Sequence, residues 1–159
     1  MGEELISGTS KWHAVRTRAG AEAKAFIGIG AAGMQVFLPV ELIRLNLRGR
    51  SEVRWRALFP AHLFVTLNPS RDLPRLLTLD GIDAVLKRDG KLVPVADDAV
   101  AAIRRAERDG LFDLAAGCRV PDDDAPPPDA RFANLMVKIR RARWSKARTA
   151  LLMSLMVSR

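Results

Sequence analysis

Apolar and polar residues alternate from Trp12 to Arg18, with Trp12 and Ala14 set against His13 and Arg16, as in a half-buried strand. Gly20 breaks the run. Ala21 to Ala32 is rich in alanine and carries Phe26, Ile27 and Ile29, which predicts a helix. Met34 to Val40 predicts a strand ending near Pro39, and Glu41 to Leu47 alternates again. A basic turn at 46–50, containing Gly49, returns Glu52 to Arg56 antiparallel to it. Leu63 to Leu67 reads as a buried strand, and Asn68, Pro69 and Ser70 cap a short helix from Arg71 to Leu79. Asp80-Gly81 and Asp89-Gly90 are turns, the second closing a hairpin between Ala84–Lys87 and Leu92–Val95. Asp97 and Asp98 open a helix to about Arg108, where two acids suit the positive end of the helix dipole. This order predicts an α+β fold, an antiparallel sheet flanked by helices.

Beyond residue 112 the pattern changes. Residues 122–129, Asp-Asp-Asp-Ala-Pro-Pro-Pro-Asp, combine like charges with consecutive prolines and cannot bury a core. The expected organisation is therefore a domain at 1–112, an acidic, proline-rich linker at 113–130 and a small module at 131–159. In that module Phe132, Leu135, Met136 and Ile139 recur at helical spacing, as do Leu151, Leu152, Leu155 and Met156. Lys138, Arg140, Arg141 and Arg143 fall mostly on the other faces.

Composition narrows the class. The 159 residues are 48% hydrophobic, enough for a packed core, and carry a net charge of +8 that favours a polyanionic or acidic partner. The excess is spread: 17 basic and 13 acidic groups in residues 1–112, 9 and 5 in 113–159. Charge alone does not choose which part touches nucleic acid. Cys118 is the only cysteine and His13 and His62 the only histidines, so neither a disulfide nor a metal site is expected. Ser7, Ser10 and Ser51 sit in no nucleophile elbow, so catalytic residues, cofactors and enzyme activity are not expected either. Gly28-Ile29-Gly30-Ala31-Ala32-Gly33 matches the dinucleotide fingerprint in letters. Its context is reversed, with a helical segment before the glycines and a strand after them, so they are read as loosening and ending the first helix. No stretch approaches 18 apolar residues and the first residues are acidic, which predicts a cytoplasmic protein that does not engage membranes.

Two segments carry a resemblance. Residues 58–65, Leu-Phe-Pro-Ala-His-Leu-Phe-Val, place a proline in an apolar strand, and Trp12-His13-Ala14-Val15 runs on through Arg18, Gly20 and Glu22. Over residues 11–108 the chain resembles the N-terminal domain of the NusG/RfaH family of transcription elongation factors. There the first strand opens with Trp and leads through a Gly turn to a helix with an acidic residue, and a later strand reads Phe-Pro-Gly/Asn-Tyr. The resemblance implies a bacterial elongation and antitermination factor that suppresses pausing. In this chain Phe59, Pro60, His62 and Phe64 would grip the clamp helices of RNA polymerase, with His62 where the family has Tyr. Alternation sets His62 and Phe64 on one face of the strand and Leu63 and Val65 on the other. Arg16, Arg18 and Lys24 correspond to the region that meets the non-template DNA strand in specialised members. Arg48 and Arg50, with Arg54 and Arg56, form a second basic cluster that would reach the nucleic-acid scaffold. Residues Arg71-Asp72-Leu73-Pro74-Arg75 do not match the family's gate-loop motif, and that contact is not carried over.

Residues 131–139 are similar to the KOW motif of the family's C-terminal module, which in the family is also a contact for the ribosome or a termination factor. Val137 and Val157 stand where that module has glycine, and the chain stops before a fifth barrel strand. Two forms remain open at this point. One is an incomplete, four-stranded SH3-like barrel. The other is a helical hairpin docked on the Phe59–Phe64 face, as in one branch of the family, burying Leu135, Met136, Ile139, Leu151, Leu152 and Leu155. The alternative function is a free-standing nucleic-acid-binding protein, associated with the ribosome or RNA, that never touches polymerase.

Overall fold

A computed structural model describes residues 10–113, 130–142 and 145–156. The proline-rich stretch 122–129, Cys118, Arg143 and Val157 lie outside these. The described residues divide between two compact units, one within 10–38, 61–97 and 156, the other within 39–60 and 98–155.

The first unit is built on a four-stranded antiparallel sheet in the order β2-β5-β1-β6: β1 (Lys11–Thr17), β2 (Gln35–Phe37), β5 (His62–Leu67) and β6 (Ile82–Val85). β1 and β5 are the central pair, with Ala14 opposite Phe64 and Val15 opposite Leu63. One face, bearing Val15, Leu63, Val65, Leu67 and Val85, packs with Ala25 and Ile29 of α1 (Glu22–Ala31) and Leu76 of α2 (Pro69–Leu77). Burying such aliphatic side chains stabilises the fold by about 1.5–3 kcal/mol each before ordering costs. Two strand boundaries differ from expectation. β2 stops at Phe37 rather than running to Val40, because Pro39 has no ladder donor. Ala84 and Val85 are not part of the Asp89-Gly90 hairpin; they fill the open edge of β1, with Val15 opposite Val85. The turn joins only β7 (Lys87–Arg88) and β8 (Lys91–Leu92), and Pro94 limits any extension.

Gly28 and Gly30 lie within α1, and Gly33, at φ 86°, follows its end. The glycine run thus terminates a helix instead of opening one. Gly81, at φ 90°, is the glycine that packing requires. A Cβ there would stand 3.3 Å from Ala21 Cβ, and its carbonyl accepts from the Arg18 amide at 2.9 Å.

The second unit contains the hairpin of β3 (Val40–Leu47) and β4 (Arg50–Ala57) and three helices: α3 (Asp97–Arg108), α4 (Ala130–Arg141) and α5 (Ser145–Ser154). α3 opens at Asp97 as its acidic pair predicts, and buries Ala99, Val100, Ala102, Ile103 and Ala106. The open question about the C-terminal module is decided for helices, and the barrel alternative falls. Among its described residues the only β-type pairing is a bridge from Met156 to Val95. Ala, Leu, Met, Lys and Arg favour the helix, and the bulky Val137 occupies a position where a barrel bend wants glycine. Met136, Ile139, Leu152 and Leu155 are buried, whereas Leu135 and Leu151 are only half-buried.

Candidate functional site

Phe59 and Pro60 belong to the second unit, and His62 and Phe64 to the first. The turn between them has an unusual backbone. Ala61 adopts φ 62°, a left-handed conformation that alanine seldom takes. Glu22 of α1 accepts a hydrogen bond from the Ala61 amide at 2.8 Å, and the Ala61 carbonyl accepts from Thr17 at 2.7 Å. The acidic residue after the Gly20 turn therefore serves the fold directly, fixing the loop that leads into β5. As a sequence landmark Glu22 gave no sign of that role.

Alternation along β5 is as expected, but both of its faces are buried. Leu63 and Val65 belong to the aliphatic core, and Phe64 stacks on Phe37 with ring centroids 6.1 Å apart and an interplanar angle of 21°. Phe59 is fully buried, Phe64 and His62 are buried, and Pro60 is half-buried.

In the second unit the neighbourhood of Phe59 is held by a buried ion pair absent from the expected set. Arg148 of α5 donates from Nη1 to Glu41 Oε1 at 2.6 Å and to the Leu58 carbonyl at 3.0 Å, and from Nε to the Ala142 carbonyl at 2.7 Å. Arg56 also donates to Glu41 Oε1. Both Glu41 and the Arg148 side chain are almost completely buried. Glu41 opens an alternating strand and Arg148 interrupts an apolar helical stripe. Each looks locally like an ordinary surface charge, so only their 107-residue separation in sequence hid the pairing.

The first basic cluster comes together as expected, with its own counter-charges. Arg16 pairs with Asp83 at 2.7 Å, and Arg18 and Lys24 both reach Asp80. Lys24, the larger influence, and Arg18 hold the Asp80 carboxyl below its ordinary range. All three cations remain about half or more exposed. The second cluster splits. Arg54 binds Glu52 and Arg56 binds Glu41, while Arg48 and Arg50 flank Gly49 at the hairpin tip with no acidic partner among the described residues. Among the described residues no group of His, Cys, Asp and Glu side chains could hold a metal ion, and no helix is long and apolar enough to cross a membrane.

The family model described as transcription termination factor nusG matches residues 10–104. The chain belongs to the NusG family. The matched span contains the whole four-stranded sheet, α1, α2 and the β3–β4 hairpin, so NusG membership accounts for the α+β architecture. A solved structure described as "Domain interaction in Thermotoga maritima NusG" is similar at 21% identity with a TM-score of 0.45. The similarity covers 62% of this chain and 58% of that one. None of the curated proteins compared with the chain matches it.

Proposed function

We propose that this NusG-family chain is an elongation and antitermination factor that binds the clamp helices of RNA polymerase through Phe59, Pro60, His62 and Phe64 and suppresses pausing. It acts by binding alone, bridging mobile parts of the polymerase across the DNA cleft with no covalent chemistry. Arg16, Arg18, Lys24, Arg48 and Arg50 contact nucleic acid, the first three on the non-template strand. The helices within 131–159 regulate access to that polymerase-binding segment.

The observation that carries this reading is the buried state of Phe59 beside a carbonyl that α5 holds through Arg148. An apolar polymerase contact left open to water invites aggregation, and a helical module pinned next to it supplies a cover that a partner displaces. In this reading the Glu41–Arg148 pair is the latch. Support for the nucleic-acid contacts is their exposure together with the net charge of +8.

The test is a reconstituted elongation complex with a photoreactive non-template strand. A charge-reversed Arg16→Glu, Arg18→Glu, Lys24→Glu chain should lose strand crosslinking and show a shallower salt dependence while still binding a clamp-helix fragment. Unchanged crosslinking would reduce the cluster to a solvated face paired with Asp80 and Asp83. If binding of the clamp-helix fragment is absent from the wild-type chain and from Arg148→Ala, which lacks the latch, the free-standing nucleic-acid-binding reading takes its place.

A further inference from the structure

We propose that the open edge of β4 docks an extended segment of another protein, which adds to the β3–β4 hairpin as a strand of alternating acidic and apolar residues. The two-residue turn at Arg48 and Gly49, both at positive φ, closes the hairpin on Leu47 opposite Arg50. Counting from that pair, Arg50, Glu52, Arg54 and Arg56 exchange backbone hydrogen bonds with β3. The N–H and C=O groups of Ser51, Val53 and Trp55 therefore point away from it. The Leu42 amide fixes the same phase. Leu42 stands opposite Trp55, and its N–H turns outward on the β3 side to donate to the Phe112 carbonyl at 3.2 Å. The β3 edge is thus met by the chain's own Phe112 and Asp113, with Asp113 beyond Leu42 and away from β4. Among the described residues nothing pairs with β4 on its outer side. All of β4 except Ala57 is exposed, and neither a proline nor a bulge blunts the edge.

Side-chain alternation chooses the occupant. Val53 and Trp55 share one face and are 51% and 53% exposed, so an added strand gains by setting apolar side chains beside them. Arg50, Glu52, Arg54 and Arg56 share the other face, together with Glu41 of β3. Glu52 holds Arg54 at 2.8 Å, and Glu41 is shared between Arg56 and Arg148. Four arginines (Arg50, Arg54, Arg56, Arg148) thus meet two carboxylates (Glu41, Glu52), and the face stays net positive. Acidic side chains on that side of the added strand complement it, and basic ones are repelled. The main-chain groups of Ser51, Val53 and Trp55 supply the pairing, as in other strand additions to a free sheet edge. A second copy of β4 fits poorly. With Val53 opposite Trp55, a two-fold sets Arg54 against Arg54; with Val53 opposite itself, it sets Arg50 against Arg56. Docking at this edge is independent of polymerase binding.

The experiment titrates the full chain with a labelled, end-capped peptide Glu-Val-Glu-Val-Glu-Val-Glu, following peptide anisotropy and amide hydrogen exchange by NMR. In the free chain the Ser51, Val53 and Trp55 amides should exchange fast and those of Glu52 and Arg54 slowly. The peptide should slow the first three and leave the other two as they were. Val53→Pro removes one outward N–H and no bond to β3, so it should weaken binding at least about tenfold while the hairpin's shifts are kept. A fully N-methylated peptide has no N–H to offer and should not bind the unaltered chain, a result that needs no variant to fold. Arg50→Glu with Arg54→Glu should lose the acidic peptide and accept Lys-Val-Lys-Val-Lys-Val-Lys in its place. Docking of an acidic strand is overturned if the acidic peptide does not bind, or if the lysine peptide binds wild type as tightly. It is also overturned if the N-methylated peptide binds equally well, or if a natively folded Val53→Pro chain binds without loss. Protection of Ser51, Val53 and Trp55 that rises with protein concentration in the absence of peptide would overturn it in favour of a second copy.

Discussion

Ala61 illustrates what a single residue contributes to this fold. Its φ of 62° is held by Glu22 on its amide and Thr17 on its carbonyl, both below 3 Å. The related family strand has Gly or Asn at that place, residues that tolerate positive φ, so the alanine carries a strain of order 1 kcal/mol. Ala61→Gly should therefore stabilise the protein by about 0.5–1 kcal/mol, read as a higher denaturant midpoint with an unchanged slope. A loss of stability would mean the Cβ packs usefully. Glu107 carries a different cost. Burial pushes its carboxyl up from the ordinary value, and its Oε2 is buried without a partner. Because the folded-state pKa is the higher one, the penalty is absent below the unfolded pKa and grows as pH rises through the folded value. Glu107→Gln should gain stability near pH 7, by less than about 1 kcal/mol since water still screens the half-buried group, and gain nothing near pH 4. Equal effects at both pH values would contradict that origin.

At the scale of elements, much of the architecture was written in local patterns. The Asn68–Pro69 cap, the Asp97-Asp98 opening of α3 and the alternation in β1, β3 and β5 all appear in the structure where the chain implied them. The Asn68 cap is reciprocal. Its side chain accepts from the Ser70 amide, while Asp72 accepts from the Asn68 amide at 2.8 Å. What local patterns left open were competitions between partners distant in sequence. Ala84 and Val85 satisfied two candidate pairings equally well on paper, and the edge of β1 took them. The C-terminal segment read passably as either strands or helices; helix-forming composition and the absence of a bend glycine decided it. Of the candidate site, the positions on β5 and around Gly49 were legible as motifs. Burial of both faces of β5, Arg148 at Glu41 and the exposure of Trp55 were not, because each depends on what the rest of the chain brings alongside.

For the whole molecule, the proposed function amounts to a polymerase-binding segment restrained by the chain's own C-terminal helices, with Glu41–Arg148 as the latch. A buried pair of this kind adds little net stability over an apolar substitute, yet removing one member leaves a charge stranded. Arg148→Ala would leave Glu41 with Arg56 alone and the Leu58 carbonyl without its donor, a loss of about 3 kcal/mol concentrated where α5 is held. The helices should release while the four-stranded sheet, which contains neither residue, stays folded. The most direct measurement is a calorimetric titration of a polymerase clamp-helix fragment into the wild-type chain and into Arg148→Ala at moderate salt, with circular dichroism on both. Arg148→Ala should lose helical signal and bind at least about tenfold more tightly, by the affinity that opening the latch costs the wild type. Equal affinities would show that the helices do not restrain the site, and absence of binding by both chains would contradict the polymerase-binding claim itself.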